Sequence, residues 1–148
     1  MENTIVNELN GLLKGEHMAV EAYERYIGEV NDDTVNEELK NIQMEHKSHV
    51  STIAQRIQNL GGKPEDSTGI AGFMANAKAA LQFSGERSTV DIIKEAYDGE
   101  YKGIAMAEEL VKGDLDNESA NIVQKILKAD QGHLKKMKGI IEGIENRH

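Results

Sequence analysis

"LKNIQMEHKSHVSTIAQRI", residues 39–57, sets Leu39, Ile42, His46, His49, Ile53 and Ile57 at successive intervals of three or four residues. That spacing draws one stripe along an α-helix, and an apolar stripe is the face a bundle helix turns inward. Two histidines in the middle of such a stripe need partners of matching chemistry from other elements, because a buried polar group without a partner costs several kcal/mol. Glu45 lies beside them, one step off the stripe.

Three other segments repeat the pattern. A first helix is expected from about Asn3 to Val30, with Ile5, Leu9, Leu12, Ala19, Tyr23 and Tyr26 inward and Glu16 interrupting them. Tyr23 reads as a core residue two turns beyond that glutamate. A third helix, starting near Ser88 or Thr89, carries Val90, Ile93, Ala96, Ile104, Ala107 and Val111 around Glu100. A fourth carries Val123, Ile126, Leu134, Met137, Ile141 and Ile144 around Asp130 and His133. "NDDT" separates the first two helices, and Thr34 followed by Glu37 reads as a capping box. "GGKP" stops the second helix, with glycine as its C-cap and proline blocking continuation. "KGDLDNES" is the turn between the last two. Short turns make antiparallel hairpins of helices one and two and of three and four. The connection from Gly61 to Arg87 is long, and "IAGFMANAKAALQF" within it can form a short helix, so a crossover lying across the bundle is expected. The fold class is all-α: a four-helix bundle of two αα-hairpins in one domain over residues 1–148, with hairpin one at 3–61, the crossover at 62–87 and hairpin two at 88–146.

The hairpins also repeat each other. Glu100 follows Glu16 by 84 residues, Asp130 follows His46 by 84, and His133 follows His49 by 84. Leu39, Ile42, Val50 and Ile57 correspond, in the same register, to Val123, Ile126, Leu134 and Ile141. Each interruption falls mid-helix, so all of them meet at a similar height in an antiparallel bundle. Residues three apart on a helix share a face, which aims Asp130 and His133 together. A cation turns such a costly layer into a ligand shell. Oxygen and nitrogen donors without sulfur suit iron or manganese, with zinc as a further candidate. The expected metal ligands are Glu16, His46, His49, Glu100, Asp130 and His133. Glu45 is the weaker candidate and reads first as a surface acid, as His17 reads as a surface histidine.

Composition narrows the function classes. The chain has no cysteine, which excludes disulfides, thiolate metal sites and a cysteine nucleophile. A net charge of −9 argues against nucleic acid as a partner. No run approaches the ~20 apolar residues of a membrane span, and the N-terminal stretch lacks a signal-peptide pattern, so a cytoplasmic location is expected.

With these residues in place, the sequence resembles the ferritin-like superfamily of di-iron carboxylate proteins, such as bacterioferritin and rubrerythrin, and in particular a group of small bacterial members without a settled function. The text around Glu16 and "QNLGGKP" after helix two carry the latter likeness. In the superfamily one helix of each hairpin gives a Glu and the other a Glu-x-x-His. Glu16 and Glu100 match the single glutamates, and His49 and His133 match the histidines. Asp130 stands where one motif glutamate would be, one methylene shorter. His46 stands where the other would be, although those carboxylates bridge the two metals in the superfamily. The resemblance implies a di-iron centre, symmetric or not, that binds Fe(II) and meets oxygen or peroxide in iron handling or oxidative-stress defence. No catalytic residue is implied beyond the ligands. It also implies a homodimer or small homo-oligomer. The alternative is a metal-stabilised stress or interaction bundle without turnover.

Overall fold

The computed structural model describes residues 2–66 and 87–147. Helix α1 spans Glu2–Glu29, α2 Asp33–Asn59, α3 Thr89–Lys112 and α4 Asn117–Glu145. The short helix expected within residues 70–83 lies outside the described residues.

The helix ends are set by local chemistry. Asp32 caps α2, its side chain accepting from the Val35 amide at 3.0 Å. This corrects the capping box read at Thr34 and Glu37: a carboxylate two residues earlier reaches the free amides, and a negative charge is favoured at a helix N-terminus. Ser88 caps α3 and Asp116 caps α4 in the same way. At the end of α2 the Gly61 amide donates to the Gln58 carbonyl and the Gly62 amide to that of Ile57, the paired bonds of a Schellman motif. Gly61 has φ +83°, which glycine adopts at little cost. Gly62 is constrained differently: a Cβ there would sit 2.6 Å from a Val6 methyl.

Helix α1 packs on α2, α3 on α4, α1 on α3 and α2 on α4, so α1 faces α4 and α2 faces α3 across the diagonals. Two apolar clusters fill the interior. One gathers Tyr23, Tyr26 and Val30 with Val35, Leu39, Ile42, Ile92, Ile93 and Met137; the other gathers Ile5, Leu9 and Leu13 with Ile53, Ile57, Ala107, Val123 and Ile126. The C-terminal part of α1 thus shares an end with the N-terminal parts of α2 and α3. It follows that α2 ends at one end of the bundle and α3 begins at the other. A connection between them must travel roughly the 40 Å length of α2 at 1.5 Å per residue, which is why it is long.

Charged clasps tie the helices at both ends. Arg87 pairs with Glu29 at 2.7 Å and Glu95 at 3.2 Å, and Arg25 pairs with Glu95 at 3.0 Å. At the opposite end, Arg56 of α2 reaches Asp116 at 2.7 Å and the Ser119 hydroxyl at 3.0 Å.

Candidate metal centre

Between the two apolar clusters lies a polar layer. Glu16, His46, Glu100, Asp130 and His133 are all buried, and His49 is largely so. Every residue expected as a ligand from the stripe interruptions is in this layer. Each comes from mid-helix, where the antiparallel arrangement brings the four interruptions to one height.

His46 occupies the middle. Its Nδ1 is 2.6 Å from Glu16 Oε2 and its Nε2 is 2.5 Å from Glu100 Oε1. The ring therefore spans from the adjacent α1 across the diagonal to α3. It stacks on Tyr23 at 5.4 Å and meets His49 and His133 edge-on at 5.5 and 5.2 Å. His133 Nδ1 lies 3.2 Å from Glu100 Oε1 and 3.5 Å from Asp130 Oδ1, and its Nε2 lies 2.7 Å from Glu45 Oε2. His49 Nδ1 is 3.4 Å from Glu16 Oε1.

Electrostatics follow from this packing. Burial alone would lower His46, but its contacts with Glu100 and Glu16 outweigh that and hold its pKa at about 10. The ring is then a cation between two anions. Burial likewise opposes ionisation of Glu16 and Glu100, yet the histidine contacts hold both below the usual carboxylate range. Asp130 goes the other way: burial raises it, and the nearby charge of Glu100 raises it further. Asp130 Oδ1 is buried and accepts no hydrogen bond, and His49 Nδ1 is also buried without one. Unmet oxygen and nitrogen atoms of this kind are what a cation would satisfy.

Two groups of donors converge closely enough to hold a metal ion: Glu16, His46, His49 and Asp130, and His46, Glu100, Asp130 and His133. In each group one donor atom per residue lies within 4.8 Å of the others. His46 and Asp130 belong to both groups. Oxygen and nitrogen in equal number fit iron, manganese or zinc chemistry, so the residues present fit the centre expected from the sequence.

Three residues outside these groups are read differently from the sequence: Tyr23, Glu45 and His17. Tyr23 is buried as expected, but its hydroxyl donates to Glu100 Oε1 at 2.8 Å, in the opposite hairpin. Burial and the Glu100 charge both push its pKa upward, so it stays protonated. The 84-residue counterpart of Tyr23 is Ala107, and a hydroxyl against an alanine is the signal in the sequence that the halves differ. Glu45, read as a surface acid, keeps its side chain 55% exposed while its carboxylate reaches His133. His17 is half-buried and donates to the Glu65 carbonyl, away from the centre.

Residues 4–113 match the family model described as a domain of unknown function, DUF2383. The chain belongs to the DUF2383 family. No curated protein matches it. Among solved structures, this DUF2383 chain is similar over its whole length to a two-domain protein from Anabaena variabilis containing dj-1/thij/pfpi-like and ferritin-like domains, with 18% identity and a TM-score of 0.82. It spans 39% of that longer protein. It is also similar to the dodecameric thioferritin of Bacteroides fragilis, a bacterioferritin-related protein, at 18% identity and TM-score 0.80, covering 99% of this chain and 89% of that one. The bacterioferritin of Desulfovibrio desulfuricans, whose structure describes a diiron site in different catalytic states, matches at 21% identity and TM-score 0.73, covering 98% and 82%. At these identities the likeness establishes the fold: the DUF2383 chain is a ferritin-like four-helix bundle. Among the described residues, no helix is long and apolar enough to cross a membrane.

Proposed function

We propose that this chain binds iron at the central layer and oxidises Fe(II) with oxygen or peroxide, in iron handling or in defence against peroxide. The observation that supports this most is the pair of four-donor groups sharing His46 and Asp130 in the middle of a ferritin-like bundle. Glu16 and His49 would complete one group, and Glu100 and His133 the other. Manganese or zinc would fit the same donors. Bound iron would supply one-electron chemistry, each Fe(II) giving one electron to the oxidant.

The protein's own groups do the rest. Glu16 and Glu100 supply fixed negative charge, which favours the higher charge that oxidation creates. The Tyr23 hydroxyl holds Glu100 in place through its hydrogen bond. Glu45 holds Nε2 of His133 on the outer side, which leaves Nδ1 turned toward Glu100 and Asp130. The apolar clusters on either side exclude water from the layer and strengthen its electrostatics. A homodimer or small homo-oligomer acting in the cytoplasm belongs to the same proposal.

The test is to add Fe(II) anaerobically, admit oxygen and follow near-ultraviolet absorbance. Oxidation at the rate of the Glu16→Ala, Glu100→Ala double variant would sink this reading. A second reading, a metal-stabilised bundle without turnover, is favoured by the imidazole of His46 where related centres have a carboxylate. Iron that binds and raises Tm without faster oxidation would select it.

A further inference from the structure

A histidine at the shared position raises the question of how two donor groups can use one ring. The two nitrogens face opposite ways, Nδ1 toward Glu16 at 2.6 Å and Nε2 toward Glu100 at 2.5 Å. Tyr23 stacks on the ring, and His49 and His133 close on its edges. Each ring nitrogen has a single lone pair in the ring plane, and a half-turn of the ring would put carbons where the nitrogens now face the carboxylates, so one nitrogen cannot serve both groups. We infer that His46 is a bridging ligand that holds one divalent cation on each ring nitrogen, joining the two donor groups through an imidazole ring instead of a carboxylate.

This rests on the metal-binding reading above and specifies how the cations are held. Each ion would then have two nitrogens and two oxygens in reach: His46, His49, Glu16 and Asp130 on one side, and His46, His133, Glu100 and Asp130 on the other. Asp130 Oδ1, buried and accepting no hydrogen bond, is the free oxygen that such a pair calls for. Charge agrees with the count of ions. A ring with a metal on both nitrogens keeps no N–H and carries one negative charge. With Glu16, Glu100 and Asp130 it makes four, which two divalent cations neutralise. A buried centre without net charge avoids the large cost of uncompensated ions. Metal–nitrogen bonds of about 2.0–2.1 Å on opposite edges of a ring hold the ions farther apart than the ~3.5–4 Å of compact two-metal sites.

The test loads metal-free protein anaerobically with Co(II). Bound cobalt per chain is measured by elemental analysis, and cobalt X-ray absorption reads the metal–metal distance. The expected result is two cobalt ions per chain with no cobalt neighbour at ~3.5–4 Å. His46→Phe should drop to one ion or fewer. His46→Glu, which puts a carboxylate at the shared position, should keep two and bring in the short metal–metal distance. One cobalt at saturation, or a short cobalt pair in the unaltered protein, overturns the bridge and leaves the metal-binding reading standing. No bound cobalt overturns both. These readings on the unaltered protein do not depend on either variant folding.

Discussion

Tyr23 of the first hairpin donates its hydroxyl to Glu100 of the second, at 2.8 Å, and not to the glutamate of its own helix. At the corresponding place in the second hairpin stands Ala107, which has nothing to donate to Glu16. Tyr23→Phe should therefore destabilise the metal-free protein by about 1.5–3 kcal/mol, the range for a hydrogen bond to a charged group. His46 and His133 remain on Glu100, which favours the lower end. Urea denaturation near pH 7 measures it, and a change below about 0.5 kcal/mol would show that the hydroxyl is not holding the glutamate.

The pH dependence of the metal-free protein follows from His46. Its folded pKa, about 10, lies above its ordinary value of 6.5. Its contribution to stability is fully present below the ordinary value and is lost as pH rises through the folded one. Tm of the metal-free protein should fall between about pH 7 and pH 10, by an amount equivalent to roughly a few kcal/mol. Asp130 adds to this from a lower pH, since its raised pKa makes its ionisation unfavourable in the fold. Glu16 and Glu100, held low, work in acid: their contribution is present above ordinary carboxylate values and lost as pH falls through the lowered ones. Cation affinity should rise with pH in the range where Tm falls, because ions compete with protons for the histidines. Differential scanning calorimetry across pH, with and without added Co(II), reads both trends.

Glu45 offers a separation of stability from binding. Its side chain is 55% exposed, and its contact with His133 Nε2 is made from outside both donor groups. Glu45→Gln should leave Tm of the metal-free protein nearly unchanged, within about 0.5 kcal/mol for a surface site. It should weaken cation binding roughly 10–100-fold, as loss of a carboxylate behind a ligating histidine does. Calorimetric titration with Co(II) measures the affinity. Equal affinity in the variant would mean that His133 needs no outer support.

Arg56 shows where geometry matters more than charge. It bonds the Ser119 hydroxyl through Nε and Asp116 through its terminal nitrogen, fastening the end of α2 to the start of α4. Arg56→Met should cost roughly 1–2 kcal/mol, allowing for the partial exposure of Asp116. Arg56→Lys should recover little, because a point charge cannot supply two donors fixed in one plane. Full rescue by lysine in denaturant titrations would show that charge alone suffices.

Much of the centre was legible in the sequence because helical periodicity and the 84-residue repeat act together. Periodicity put Glu16, His46, His49, Glu100, Asp130 and His133 inward, and the repeat put them at one height. Both are properties of backbone geometry. The contacts of side chains were harder to read. Nothing in the spacing says that Tyr23 crosses to Glu100, since that depends on which helices face each other. Glu45 sits off the stripe, and only its long side chain brings it to His133. The start of α2 is hard to read from sequence for a similar reason: Asp32 and Thr34 are both good caps, and the choice between them depends on how the chain enters the helix.

Each donor group takes three residues from one hairpin and one from the other. Glu16, His46 and His49 borrow Asp130, and Glu100, Asp130 and His133 borrow His46. The loan is reciprocal, so neither hairpin can complete a shell alone. Cut between its hairpins, the protein would become two fragments, each with an unfinished claim on the other. A cation would then serve as the adhesive of their reassembly, and its concentration would set how firmly the two fragments recognise each other.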